Sequence, residues 1–261
     1  LIDLPIFQVD AFASRPFTGN PAAVMPLDQW LPDDIMQMIA AENNLAETAF
    51  LVRCEHDDAD YDLRWFTPTV EVDLCGHATL ASAHVLPFDD RIRFATRSGI
   101  LTVEKRDGKL WLDLPTGSVE PGTEPGLLEA LGLRENTPCF LGRGGNGAAI
   151  ALLENEAAVR AVDPDFRALK GYDRLVMVTA TGDNTDVVSR VFAAYHGIDE
   201  DPVTGSAHGS LVPFWANRLG RIRFTAFQAS KRGGHLVCEL SNDRVILGGT
   251  CVTVIDGRFR I

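Results

Sequence analysis

The sequence predicts an α+β protein made of two similar halves, and three observations support this. Short runs of strand character recur along the chain, interrupted by a few segments of helical spacing. A Pro/Gly-rich stretch, "DLPTGSVEPGTEPG" at 113–126, breaks that alternation near the middle, and the succession of elements then begins again. Two segments echo each other across the break: "RWFTPTVEVDLCGHA" from Arg64 and "RVFAAYHGIDEDPVTGSAHG" from Arg190. Each has Arg-x-Phe at a strand end, a loop of acids, and then Gly-His-Ala or Gly-Ser-Ala opening a helix of small residues. The expected halves are 1–117 and 118–261, with the last strand able to pack back onto the first half.

In chain order, "IFQVDAF", "AAVMPL", "ETAFLVRC" and "YDLRWFTP" read as strands. Between the second and third, "LPDDIMQMIAAENN" reads as a helix, with acids in its first turn, apolar spacing at Ile35, Met38 and Ile39, and Asn at its end. "HATLASAHVL" (77–86) is small and apolar almost all round, which predicts a helix buried inside a sheet. Strands "RIRFATRS", "ILTVEKR" and "KLWLDLP" complete the first half. The second half reads as helix "GLLEALGL", strand "AAIALLE", helix "NEAAVRAV", and strands "RLVMVTAT" and "VVSRVFAAY". A helix, "SAHGSLVPFWANRLG", follows, and Pro213 is expected to kink or end it. Strands "RIRFTAFQ", "GHLVCEL", "RVILGGT" and "CVTVID" close the chain.

Composition narrows the function. The 261 residues are 46% hydrophobic and 23% charged, as in a soluble globular protein with an ample core. A formal charge of −12 repels phosphate backbones and argues against nucleic acid as a partner. No apolar run approaches the roughly 20 residues that span a bilayer, so no membrane role is expected. The opening "IDLPIFQVDAFAS" alternates like a strand and does not read as a secretory signal. Five scattered cysteines without a C-x-x-C pair predict reduced thiols in a cytoplasmic protein. Four of them sit in apolar strand-like runs as core filler; Cys75 has a different neighbourhood.

The two glycine turns carry the candidate chemistry. Each ends in the first N–H groups of a helix, which lack intrahelical partners and suit an anion such as a carboxylate. Capping by the helices' own side chains is the simpler reading for one turn, worth about 1 kcal/mol. Two similar turns, each with a proton carrier at hand, favour a site. Glu47 lies in the otherwise apolar run of "NNLAETAF", where desolvation disfavours its charge and suits it to acid–base work. Glu200 and Asp201 precede Pro202, which holds them extended. His77, at a helix start, could hydrogen-bond a substrate or shuttle a proton.

At these residues the chain resembles the PhzF-like family, the phenazine-biosynthesis isomerases and their relatives, which share the diaminopimelate epimerase fold. The resemblance runs through "DAFASRPFTGNPAAV", "NLAETAF", "RWFTPTVEVDLCGHATLASAHVL", "EDPVTGSAHGSL" and "QASKRGGHL". It implies two pseudo-symmetric halves, each a mixed sheet curled around a central helix, with the active site between them. It also implies cofactor-free proton transfer on a small carboxylate substrate, and a homodimer. Glu47 matches the family's acid–base glutamate, and His77 and Asp201 match the histidine and aspartate around the substrate. Gly76, Gly205 and Ser206 match the groups that hold its carboxylate, and Asn20 in "GNP" matches the cleft edge. Diaminopimelate epimerases use two thiols. Here Cys75 stands at the first position, but the second motif reads Asp201-Pro202-Val203-Thr204-Gly205. A two-thiol racemase is therefore not expected, whereas a one-thiol racemase pairing Cys75 with Glu47 or Asp201 stays open, as does a non-catalytic small-acid binder.

Three other motifs are set aside. "GRGGNG" (142–147) fits G-x-G-x-x-G but precedes a strand, so a hairpin turn is expected. "TGSAH" lacks the G-x-S-x-G elbow, which weighs against a hydrolase triad of Ser206, His77 and Asp201. Zinc at Cys75, His77, His84 and His208 is disfavoured because His77 and His84 are about two helical turns apart. No metal or cofactor is expected.

Overall fold

The computed structural model describes residues 2–55, 57–142 and 147–261. The chain divides into two compact units, Leu1–Leu114 with Leu247–Ile261, and Pro115–Ile246. The first contains β1 (Asp3–Ala11), β2 (Asn20–Leu27), α1 (Asp33–Asn43), β3 (Glu47–Arg53), β4 (Tyr61–Phe66), β5 (Glu71–Val72), α2 (Gly76–Val85), β6 (Arg91–Thr96), β7 (Gly99–Arg106) and β8 (Lys109–Pro115). The second contains β9 (Val119–Pro121), α3 (Leu127–Ala130), β10 (Cys139–Gly142), β11 (Ala148–Leu152), α4 (Glu156–Ala161), α5 (Phe166–Leu169), β12 (Leu175–Thr181), β13 (Val187–Ala193), β14 (Ile198–Asp201), α6 (Gly205–Leu219), β15 (Arg223–Gln228) and β16 (Gly234–Ser241). β17 (Arg244–Gly249) returns the chain to the first unit, and β18 (Cys251–Arg260) ends it.

Strand pairing repeats from one unit to the other. In the first, β1–β2 is antiparallel, β2–β3 parallel, β3–β4 and β4–β5 antiparallel, β4–β6 parallel and β6–β7 antiparallel. In the second, β10–β11, β11–β12, β12–β13, β13–β14, β13–β15 and β15–β16 follow the same sequence of directions. Even the outer strand recurs: β18 pairs antiparallel with β1, and β9 with β10. β9 lies inside the stretch predicted to be only a linker.

The central helices are buried for the predicted reason. Every residue of α2 from Gly76 to Ala83 is buried, against β1, β2, β3 and β7. Its two hydroxyls avoid an unpaired burial by bonding back along the helix, Thr79 to the Cys75 carbonyl at 2.6 Å and Ser82 to that of Ala78 at 2.7 Å. α6 runs unbroken from Gly205 to Leu219 through Pro213, against expectation. A proline removes one N–H and crowds the carbonyl four residues back. That carbonyl belongs to Gly209, which has no side chain and instead accepts the N–H of Gly117 at 2.9 Å. The orphaned acceptor is satisfied, so the helix continues.

Two other expectations change. α1 buries Met36, Ile39 and Ala40 and leaves Met38 exposed, so the apolar stripe is set one position from the predicted one. β18 does not stop at Asp256 but continues through the charged "GRFR". Residues 143–146, on which the predicted hairpin at "GRGGNG" falls, lie outside the described residues. Among the described residues no helix is long and apolar enough to cross a membrane.

Candidate active site

Three chain segments bring four side chains together in the first unit. α1 closes on Asn44 in the left-handed conformation (φ 49°), and the reversal delivers Glu47 as the first residue of β3. Gly19, with φ 69°, turns the chain so that Asn20 opens β2 fully buried. Gly76 begins α2 and places His77 in its first turn. His77 Nε2 lies 3.1 Å from Glu47 Oε2, with side chains only 5% and 12% exposed. On the other ring nitrogen, Nδ1 meets Asn20 Nδ2 at 3.2 Å and Cys75 Sγ at 3.5 Å. The 3.1 Å contact is close but poorly aligned for a hydrogen bond, since both atoms lack a directional partner. It is a charge contact poised for proton exchange.

Charge follows from these distances. Burial opposes a charge on His77, but Cys75 and the Glu47 carboxylate outweigh it and hold the imidazole pKa well above its ordinary 6.5. Cys75 is itself pushed up to about 11, first by burial and then by Glu47. A thiol so shifted is neutral at pH 7, so the Glu47 charge is what sustains the rise at His77. A charged imidazole carries hydrogen on both nitrogens, Nε2 toward Glu47 and Nδ1 toward the Asn20 amide and Cys75 Sγ.

The second unit builds a comparable helix start. Thr204 donates to Asp201 Oδ2 at 2.5 Å and accepts from Gln228 Nε2 at 3.1 Å. Gln228 also bonds the Thr204 N–H at 2.9 Å and the Asp201 carbonyl at 2.7 Å, so one buried amide staples the whole turn. Neither Cys75 nor Thr204 makes a strong side-chain cap, and the weak contact of the Cys75 thiol with the Ala78 N–H is the nearest approach to one in α2. Ser206 is exposed at that turn, and Gly205 is buried. His208, one turn on, contacts the Thr204 carbonyl through Nδ1 at 2.8 Å, and burial lowers its pKa to about 4. The native state therefore keeps His208 neutral while the unfolded chain protonates it near 6.5. This contribution is present above pH 6.5 and lost as pH falls towards 4, about 3 kcal/mol in all. His208→Gln, which retains a donor for Thr204, is expected to flatten the acid limb of stability measured by urea melts by that amount. His77 has the opposite sign: its contribution is full below 6.5 and lost as pH rises through its elevated pKa.

Comparison with known proteins identifies the family. The profile of the family described as phenazine biosynthesis-like protein matches residues 9–257. The chain belongs to that family. An uncharacterized isomerase of Pseudomonas aeruginosa is 51% identical over 267 residues, covering 100% of both chains. The crystal structure of a PhzF-family phenazine biosynthesis protein from Enterococcus faecalis matches with TM-score 0.91 at 43% identity, covering 100% of each chain. A predicted epimerase from P. aeruginosa shares the fold, with TM-score 0.76 at 21% identity over 99% of each chain. The fold is of the expected diaminopimelate epimerase-like type, and the chain is an isomerase.

The internal repeat of this phenazine biosynthesis-like chain separates framework from chemistry. Arg64 grips Glu71 through two bonds of 2.7 and 2.8 Å, and Arg190 grips Glu200 through two of 2.7 and 2.9 Å. Both guanidinium groups also lie over the phenylalanine two residues on, Phe66 or Phe192. This two-pronged clasp is the physical content of the Arg-x-Phe echo. It also gives the neighbours Glu200 and Asp201 different tasks, the first structural and the second at the helix start. The repeats diverge at the ionisable positions. Glu47 faces Ala22 across the parallel ladder, and at the matching point of the other unit Leu175 faces Ala148. Asp201 faces Val191, and its counterpart Val72 faces Trp65. Each unit thus carries a carboxylate where the other has an aliphatic side chain.

The alternative constellations fare differently. Glu47, Cys75 and His77 present donor atoms within 4.8 Å of one another, but a cation there would have to displace a thiol proton held up to about 11. His84 is outside that group, its Nε2 bonded to Thr253 at 3.1 Å. The members of the hydrolase triad are otherwise engaged, His77 with Glu47 and Asp201 with Thr204. The sequence reading assigns no role to Gln228 or Thr204. Both nonetheless lie in motifs that carry the resemblance, Gln228 opening "QASKRGGHL" and Thr204 inside "EDPVTGSAHGSL".

Proposed function

We propose that this isomerase works without a cofactor and moves a proton within a small carboxylate substrate, with Glu47 as the base. The observation that carries this is the nearly buried Glu47 carboxylate 3.1 Å from His77, at the start of α2. Glu47 takes the proton from a carbon beside a carboxyl or unsaturated group. The negative charge that develops is stabilised by the first N–H groups of α2, starting at Gly76. His77, held by Asn20, supplies positive charge next to Glu47 and relays its proton. Asp201 is assigned the return of the proton, with Gly205 and Ser206 as further carboxylate donors; its short bond from Thr204 fixes the carboxylate for that task.

The test is solvent exchange. The protein is incubated in deuterated water with a panel of small cyclic and amino carboxylic acids, and the acids are read by mass and NMR. Deuterium is expected to enter one carbon of a substrate, with the exchange abolished in Glu47→Gln and retained in Cys75→Ser. Because Cys75 lies 3.5 Å from His77, a one-thiol racemase is the second reading; loss of optical rotation that disappears in Cys75→Ser would establish it. Binding of an acid without any exchange would leave only a small-acid binder.

A further inference from the structure

Gln228 and Thr204 form a buried network in which each hydrogen has one place to go. Gln228 closes β15, where the ladders hold it opposite Ser189 of β13 and Gly234 of β16, and it is fully buried. Its Oε1 accepts the Thr204 N–H, and its Nε2 donates to the Asp201 carbonyl and to Thr204 Oγ1. Turning the amide over would set a donor against that N–H and an acceptor against that carbonyl, so one orientation is fixed. Both amide hydrogens are then spent, and Thr204 Oγ1 receives one of them. The hydroxyl keeps a single hydrogen of its own, and Asp201 Oδ2 accepts it. Were the proton of a neutral Asp201 placed on Oδ2, the buried hydroxyl hydrogen would lose that acceptor, which is costly.

The first unit shows that a helix start does not need this network. Val72 and Cys75 stand before Gly76 as Asp201 and Thr204 stand before Gly205. Continuing the β4–β6 register one residue beyond Asp62 and Ala95 sets Thr96 at the place of Gln228. Thr96 instead donates to the Gly99 carbonyl of its own hairpin at 2.7 Å. None of the three polar groups recurs, yet α2 begins in the same way. The network goes with the carboxylate and not with the helix.

We propose that Gln228 is a positioning residue for the isomerisation: by fixing the Thr204 hydroxyl it keeps Asp201 Oδ2 an acceptor, so that Oδ1 carries the proton and delivers it to the substrate carbon. This rests on the reading of Asp201 as the group that returns the proton. In that step the Oδ1–H bond breaks as a C–H bond forms, and the electron pair stays on Asp201 as a carboxylate. The Thr204 hydroxyl stabilises the charge so formed. Glu47 has gained one proton and Asp201 has lost one, and exchange with water restores both.

The experiment titrates Asp201 in the free protein by carbon-13 NMR of carboxyl-labelled aspartate, with Asp201→Asn to assign its signal. Turnover is measured with the acid of the deuterium panel that exchanges. Thr204→Val removes the donor and keeps the shape, so the Asp201 pKa is expected to rise by about 1. Its kcat should fall about tenfold or more while KM stays within about threefold. Thr204→Ser, which keeps the hydroxyl, should restore both. Gln228→Met should shift both in the same direction, and should add little to the pKa in the Thr204→Val background, because it acts through that hydroxyl. Gln228→Glu, closer in size, sets an acceptor where Nε2 donates and should draw the hydroxyl hydrogen off Asp201 to the same effect. The other ionisable groups on the elements around Asp201 are Asp199, His196, His208, Lys231, Arg232 and the mutually paired Arg190 and Glu200, and these variants change none of them. Turnover of Asp201→Asn within about tenfold of wild type would sink the reading of Asp201 itself, and this assignment with it. Loss of turnover in Asp201→Asn beside an unchanged Asp201 pKa in Thr204→Val, or in both Gln228 variants, would overturn the assignment of Gln228 alone. The titration needs no substrate, so it decides that point whatever the panel gives.

Discussion

Glu47→Gln is expected to lower turnover by about 10³-fold while leaving the fold intact. A positioned general base contributes typically 10²–10⁴-fold, and glutamine keeps the size of the side chain while losing its basicity. The amide fills the same space beside His77, and the contacts of His77 with Asn20 and Cys75 do not involve Glu47, so that group should hold together. KM is expected to move far less than kcat, because the carboxylate acts on the reacting proton and not on the substrate's charge. Removing the negative charge also takes away a support of the His77 pKa, so the histidine should titrate lower in the variant, visible by NMR of the imidazole. Turnover within tenfold of wild type would mean that another group is the base.

Arg190→Leu is expected to cost about 3 kcal/mol of stability in urea melts, with activity lost only as far as unfolding takes it. Arg190 is 13% exposed and holds three things at once: Glu200 through two bonds, the Val162 carbonyl at 2.6 Å, and the face of Phe192. Removing one partner of a largely buried pair leaves the other charge uncompensated, which typically costs about 3–5 kcal/mol; the 21% exposure of Glu200 argues for the lower end. Glu200→Gln should cost clearly less, because a neutral amide still bonds the guanidinium. If Arg190→Leu unfolds with wild-type stability, the clasp is not a framework element.

The fold was legible where side-chain pattern alone decides it. The buried helix 77–86 follows from its uniform small residues, and the strands follow from alternation, because these properties are local. What was illegible depends on partners distant in sequence. Pro213 breaks a helix in isolation, and only the Gly117 N–H, which takes the vacated Gly209 carbonyl, lets α6 continue. The charged "GRFR" joins β18 because β1 supplies a ladder, not because its residues favour a strand. The site was legible to a similar degree. Resemblance marked Glu47, His77 and Asp201, and the helix starts at Gly76 and Gly205 could be read from glycine followed by small residues. Gln228 could not, since its role rests on bonds to residues 24 and 27 positions away. Nor could the division of labour between Glu200 and Asp201, which depends on which of two adjacent acids meets an arginine one strand over.

The place of β18 has a consequence for synthesis. A ribosome releases residues in order, so 115–246, one uninterrupted stretch, can complete its contacts while the earlier-made unit still lacks 247–261. Until residues 251–260 emerge, β1 offers a bare flank and Leu4, at its far end, has no Phe259 to cover it. The first-born half of this chain is therefore the last to mature, and a polypeptide cut short by a dozen residues would leave it permanently unfinished.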